Sequence, residues 1–169
     1  MFFQHFVGVS KVAPLQFTPQ PPPKTMSPEQ LVRKVTAITG FTHAAGVEVL
    51  AAEAGRVSLS LAKKPELLQF NGFFHGGVVS GLADHAAGAA ATTALPPGKI
   101  AVTVDLHVNF LTPASGPTLV ARARALQAGS TICVVTVEVE TEASAGPQVC
   151  AIATVTLRVV DMPQMGKTP

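Results

Sequence analysis

Charge is scarce in this chain. Only 13% of its 169 residues are Asp, Glu, Lys or Arg, the net charge is +2, and no basic run exceeds two residues. Neither nucleic acid nor an anionic membrane surface is indicated as a main partner. Cysteine is equally sparse. Cys133 and Cys150 are too few and too far apart for a disulfide framework or a zinc ligand set, and both read as reduced core residues. No His, Cys or carboxylate cluster has metal-ligand spacing, and no cofactor is expected. A targeting segment is also missing: Met1 to Phe17 begins Phe2-Phe3-Gln4-His5 and lacks a basic start and an uninterrupted apolar run. The most apolar window, Gly76 to Leu95, carries Asp84 and His85 at its centre, where an ionised group would be costly in lipid. A soluble, cytoplasmic protein with no membrane partner is the expectation.

What the chain does have is core material. With 47% apolar residues it can bury one domain of ordinary size. Pro14, Pro19, Pro21, Pro22 and Pro23 crowd the start, so residues 1–25 are expected to form an extended arm. Residues 26–162 form the domain, and 163–169 a C-terminal tail. Ser27-Pro28-Glu29-Gln30 has the order of a helix start, with a capping Ser, a Pro at the first helical position and a Gln reaching back. The spacing predicts a helix over 28–38, a connector over 41–46, and strands at 47–50 and 57–62 turning at Ala54-Gly55. A helix from about His75 to Leu95 is stopped by Pro96-Pro97-Gly98. Beyond it Val102, Val104, Leu106, Val108 and Phe110 alternate with polar residues, predicting a strand with one buried face. Strands at 119–126, 131–140 and 149–160 follow. One antiparallel sheet with one dominant helix to cover it is an α+β domain.

Chemistry concentrates in Gly72-Phe73-Phe74-His75-Gly76-Gly77 and the small-residue helix that follows, with Asp84 in its middle. The first amides of a helix have no intrahelical partner and favour an oxygen that is becoming negative. Gly76 and Asp84 are eight residues apart, about 12 Å along one helix, so they cannot contact a single small group together. If both act on one carbonyl, they come from different subunits. Taken singly, glycines at a helix start also serve close packing, and an Asp in an apolar helix also serves as an interface residue.

The run Pro65-Glu66-Leu67-Leu68-Gln69 through His75-Gly76-Gly77 to Leu82-Ala83-Asp84, then Thr103-Val104-Asp105-Leu106 and Asn109-Phe110-Leu111-Thr112-Pro113-Ala114, resembles the hotdog-fold acyl-CoA thioesterases of the phenylacetic-acid-degradation (PaaI) type. The resemblance spans roughly residues 40 to 160. It implies a curved antiparallel sheet wrapped around one long central helix, and two subunits joined edge to edge as a homodimer or homotetramer. It implies hydrolysis of an acyl-CoA to a carboxylic acid and free CoA. In that scheme the Gly76 N–H, with Gly77's as a second donor, binds the thioester oxygen, and the partner's Asp84 is the nucleophile or general base. Gln69 orients the water or carbonyl, with Asn71 its rival, and Thr103 helps hold the attacking water. His75 reads as a buttress of the turn. His85, His43 and His107 read as packing or surface residues. Arg122, Arg124 and the Gly129-Ser130-Thr131 turn are hints for the CoA phosphates, and Phe70, Phe73, Phe74 and Leu82 for the acyl pocket. Two alternatives stay open: a non-catalytic acyl-CoA sensor, although residues 1–40 show no DNA-reading helix pair, and a hotdog hydratase or dehydratase, whose catalytic His pattern has no counterpart here.

Overall fold

Ser27 and Gln30 open the first helix as their order predicts. In the computed structural model, which describes residues 26–144 and 146–162, the Ser27 hydroxyl accepts the Gln30 N–H at 3.2 Å and the Gln30 side chain accepts the Ser27 N–H at 3.0 Å. This cap starts α1 (Pro28–Thr36). The arm at 1–25 and the tail at 163–169 lie outside the described residues. Where a connector was expected, Phe41–Ala45 forms a short helix, α2. Gly46 closes it in the left-handed region, φ 81°, donating its N–H to the Thr42 and His43 carbonyls. A helix of this length has too few residues to show a helical period.

Among the described residues six strands form one antiparallel sheet: β1 (Val47–Glu53), β2 (Arg56–Ala62), β3 (Lys99–Phe110), β4 (Thr118–Ala128), β5 (Ile132–Ala143) and β6 (Gly146–Asp161), in the order β1-β2-β4-β5-β6-β3. The long helix α3 (Gly76–Thr93) contacts all six, so the sheet curves round it. This is the α+β hotdog arrangement. The buried face of α3 is mostly alanine: Ala83, Ala86, Ala87, Ala90 and Ala91 are shielded from solvent, with Val79 and Leu82 at its first half. Side chains this small let the helix sit deep in the sheet, where Leu59, Leu61, Leu119, Val137 and Leu157 complete the core. Cys133 and Cys150 are buried and free, and burial pushes both thiols up.

The alternation read in β3 does not lie on one face. Its register against β6 slips between Thr103, opposite Leu157, and Asp105, opposite Thr156, leaving Val104 as an extra residue. A slip of one residue exchanges the faces of a strand. Ala101 and Thr103 therefore face α3 before the bulge, and Leu106 and Val108 after it, while Val102 and Val104 are 48% and 59% exposed. Among the described residues β3 is an edge strand with β6 as its neighbour in the sheet. Its exposed rim is mixed, with Val102, Val104, Phe110 and Leu111 alongside Asp105, His107 and Asn109.

Candidate active site

The turn before α3 is pinned at several points. The Gln69 N–H donates to the Phe73 carbonyl at 2.9 Å, the Gly72 N–H returns to the Gln69 carbonyl at 3.0 Å, and Gly72 takes φ 80°, which glycine adopts without strain. The Phe74 N–H reaches the Ala114 carbonyl and the His75 N–H the Leu67 carbonyl. His75 is the N-cap of α3. Its Nδ1 accepts the Gly77 N–H at 3.0 Å, and its carbonyl accepts the Val78 and Val79 amides. One helix-start donor remains. The Gly76 N–H has no partner among the described residues.

That amide opens on a cleft of about 440 Å³ whose wall includes Gln69, Asn71, Phe73, Phe110 and Thr112. Asn71 accepts the Phe73 N–H on its Oδ1 at 3.4 Å. Phe110 packs so close to Gly76 that a Cβ there would stand 3.3 Å from its ring. Thr112 is the residue that reading the sequence passed over: its Oγ1 is buried without a partner among the described residues. It belongs to the Asn109–Ala114 motif, but nothing in a Thr before a Pro announces a hydroxyl held in a cleft.

Asp84 lies two turns further along α3, in different surroundings. Its Oδ1 accepts the Thr103 hydroxyl at 2.7 Å, a bond that exists because the β3 bulge turns Thr103 toward the helix. The carboxylate lines a second cleft, about 670 Å³, between α1 and β3. Beside it, His85 Nε2 and the Thr36 hydroxyl are 2.9 Å apart, tying α3 to α1. Burial pulls the His85 pKa down, and the neighbouring Asp84 charge pulls more weakly upward.

The two clefts share no residue. The structure thus brings Gln69, Asn71 and Gly76 together, and Asp84 and Thr103 together, but keeps the two groups apart within one chain. Other residues singled out in the sequence are elsewhere. Phe74 and Leu82 are core, and Phe70 is fully exposed. Arg122 and Arg124 lie on the sheet face opposite α3, along a shallow depression of about 660 Å³, where Arg122 Nε donates to Glu140 at 3.1 Å. The Gly129 amide is used within its own turn, bonding the Ile132 carbonyl. His43 and His107 are exposed.

Comparison with known proteins bears on what these clefts are for. A family model described as "Thioesterase superfamily" matches residues 71–147, which include the helix start, Asp84 and β3. A thioesterase family protein from Silicibacter pomeroyi, solved by crystallography, superposes with a TM-score of 0.77 at 30% identity, covering 80% of this chain and all of that one. The chain belongs to the thioesterase superfamily. A relative from Halobacterium salinarum, named as an esterase, is 36% identical over 109 residues, 62% of this chain and 72% of its own. The 1,4-dihydroxy-2-naphthoyl-CoA hydrolase of Listeria monocytogenes is 29% identical over 90 residues, 53% of this chain and 73% of that enzyme. Thioester hydrolysis is the general chemistry that membership of the superfamily carries, and among the described residues no helix is long and apolar enough to cross a membrane.

Proposed function

We propose that this thioesterase-superfamily chain is an acyl-CoA thioesterase of the PaaI type, hydrolysing an acyl-CoA to a carboxylic acid and free CoA at sites shared by two subunits. The observation that carries the reading is the separation of one unpartnered helix-start amide and one carboxylate into clefts that share no residue. A single thioester carbonyl is attacked at carbon while its oxygen is held, so both groups must converge within a few ångströms of it. In this reading a two-fold axis beside the β3 edge brings one subunit's Gly76 to the other's Asp84, and does so twice. The Listeria relative, named for hydrolysis of an acyl-CoA, supports CoA as the thiol carrier.

In this scheme Gly76 N–H donates to the carbonyl oxygen and stabilises the charge that grows there. Asp84 of the other subunit either takes a proton from a water that attacks the carbonyl carbon, after which the C–S bond breaks and the thiolate leaves with the acid released, or attacks that carbon itself. Direct attack expels the thiolate and leaves an acyl anhydride on Asp84, which water then hydrolyses to the acid and the free carboxylate. Thr103 holds the carboxylate in place through its hydroxyl. Gln69 and Asn71 stand beside Gly76 to orient the carbonyl or the water. His75 acts on the backbone: by taking the Gly77 amide it fixes the turn that presents Gly76.

The test is thiol release from a panel of acyl-CoAs by the wild-type protein and by Asp84→Asn. Wild type releases CoA, and the variant, which keeps the shape and loses the charge, falls by about 10²- to 10⁴-fold in kcat. Equal activity in the two proteins would remove Asp84 from the chemistry, and tight acyl-CoA binding with no release by wild type would favour a sensor.

A further inference from the structure

The cleft beside Asp84 contains a vacancy that the helix does not need. Asp84, Gly88 and Thr92 are spaced four residues apart and so line one face of α3, the face that looks into the gap between α1 and β3. Gly88 is in mid-helix with an ordinary helical backbone, and a Cβ built on it would meet nothing within 4 Å. Glycine in a helix interior is less stable than alanine, because it loses more backbone freedom on folding. Among the described residues neither backbone conformation nor packing requires glycine at this position. What its missing side chain provides is room in the cleft.

The walls define what fits that room. Around Gly88 the cleft is lined by Leu31 and Val35 from α1 and, from β3, by Ala101 and Thr103 on the side toward α3, with Ile100 and Val102 at the outer edge of the strand. Among the described residues Asp84 and His85 are the only titratable ones lining the cleft, no Lys or Arg lines it, and the His85 ring is occupied with Thr36. An anionic tail would be buried near a carboxylate with no compensating cation, which is unfavourable. An uncharged apolar tail buries surface against all three walls. Gly88 is one turn beyond Asp84, about 6 Å along the axis, within reach of an acyl group whose carbonyl reacts at that carboxylate.

We infer that the gap between α1 and β3 is the acyl pocket, that it takes uncharged apolar acyl groups, and that Gly88 and Val35 set the length accepted. This inference rests on the hydrolase reading above. It assigns α1 a role that the resemblance did not give it, as one wall of the pocket. Adding a single methylene to a hydrophobic pocket discriminates substrates by about 10- to 200-fold, so a leucine at position 88 is a large change.

The experiment measures kcat/KM for acetyl-, butyryl-, octanoyl- and succinyl-CoA with wild type, Gly88→Leu and, from the opposite wall, Val35→Trp. Butyryl-CoA is expected to be at least tenfold better than succinyl-CoA with wild type. Each variant is expected to lower the octanoyl-to-butyryl ratio at least tenfold. Losses equal at all chain lengths in both variants, or ratios that do not move, would overturn the assignment. Gly88→Ala checks the fold: it should melt above wild type, and a lower melting temperature would show that the helix itself needs glycine and would also overturn it. Calorimetric binding of the same acyl-CoAs to Asp84→Asn, with and without Gly88→Leu, separates the two readings. Length-dependent binding that Gly88→Leu abolishes, with no thiol release by wild type, supports the pocket and rejects the hydrolase. Thiol release whose chain-length ratio ignores both substitutions rejects the pocket and leaves the hydrolase standing.

Discussion

Gly76 and His75 divide the first amides of α3 between two duties. His75 satisfies the Gly77 N–H and fixes the turn, while the Gly76 N–H stays available. This gives an unusually clean way to delete a backbone donor. Proline at the first helical position keeps the helix, replaces the N–H by a ring carbon, and requires an extended residue before it. His75 already has φ −66° and ψ 138°. Gly76→Pro is therefore expected to fold, with Phe110 shifting by a few tenths of an ångström, and to lose about 10²- to 10³-fold in kcat, the usual effect of one oxyanion donor. Full activity in the folded variant would assign the thioester oxygen to another donor. At this scale the candidate residues are conspicuous in the sequence as a glycine-rich helix start and a carboxylate in an apolar helix. The Thr112 hydroxyl and the Gly88 gap are not, because each acquires meaning only from what surrounds it.

Elements decide which way those residues face. The alternation from Val102 to Phe110 predicts one buried row, and the bulge at Val104 divides it, since nothing in an unbroken Thr-Val-Asp run marks an extra residue. That division delivers Thr103 to Asp84. The order of helices and strands was readable from periodicity and from Gly and Pro punctuation, whereas α2, enclosed between Gly40 and Gly46, was too short to leave a period. The contact between α1 and α3 carries its own prediction. His85 is held neutral in the fold by burial, while the unfolded chain takes up a proton near pH 6.5. Below that pH the unfolded state binds more protons, so the stability contributed by neutral His85 is full above about 6.5 and is lost as pH falls toward the lowered folded value. The urea midpoint of wild type should drop between pH 7.5 and 5.5, and His85→Gln, whose amide does not titrate, should drop less. An identical decline in both proteins would place the pH dependence elsewhere.

At the scale of the whole molecule the proposed scheme has each chain give one half to each of two sites. Gly76, Gln69 and Asn71 line one cleft, Asp84 and Thr103 another, and among the described residues β3 is an edge strand. An exposed edge strand can pair with another chain, and in the proposed dimer pairing across a two-fold axis completes both sites together. The central claim is therefore about which subunits the groups come from, and mixing tests it directly. Asp84→Asn retains the amide and Gly76→Pro retains the carboxylate. Each alone is inactive in the shared-site account. Unfolded together and refolded at equal amounts, they should form heterodimers in which one of the two sites is intact, restoring about a quarter of wild-type thiol release. Should the refolded mixture form heterodimers and yet release no more CoA than the separate variants, the shared site would be contradicted.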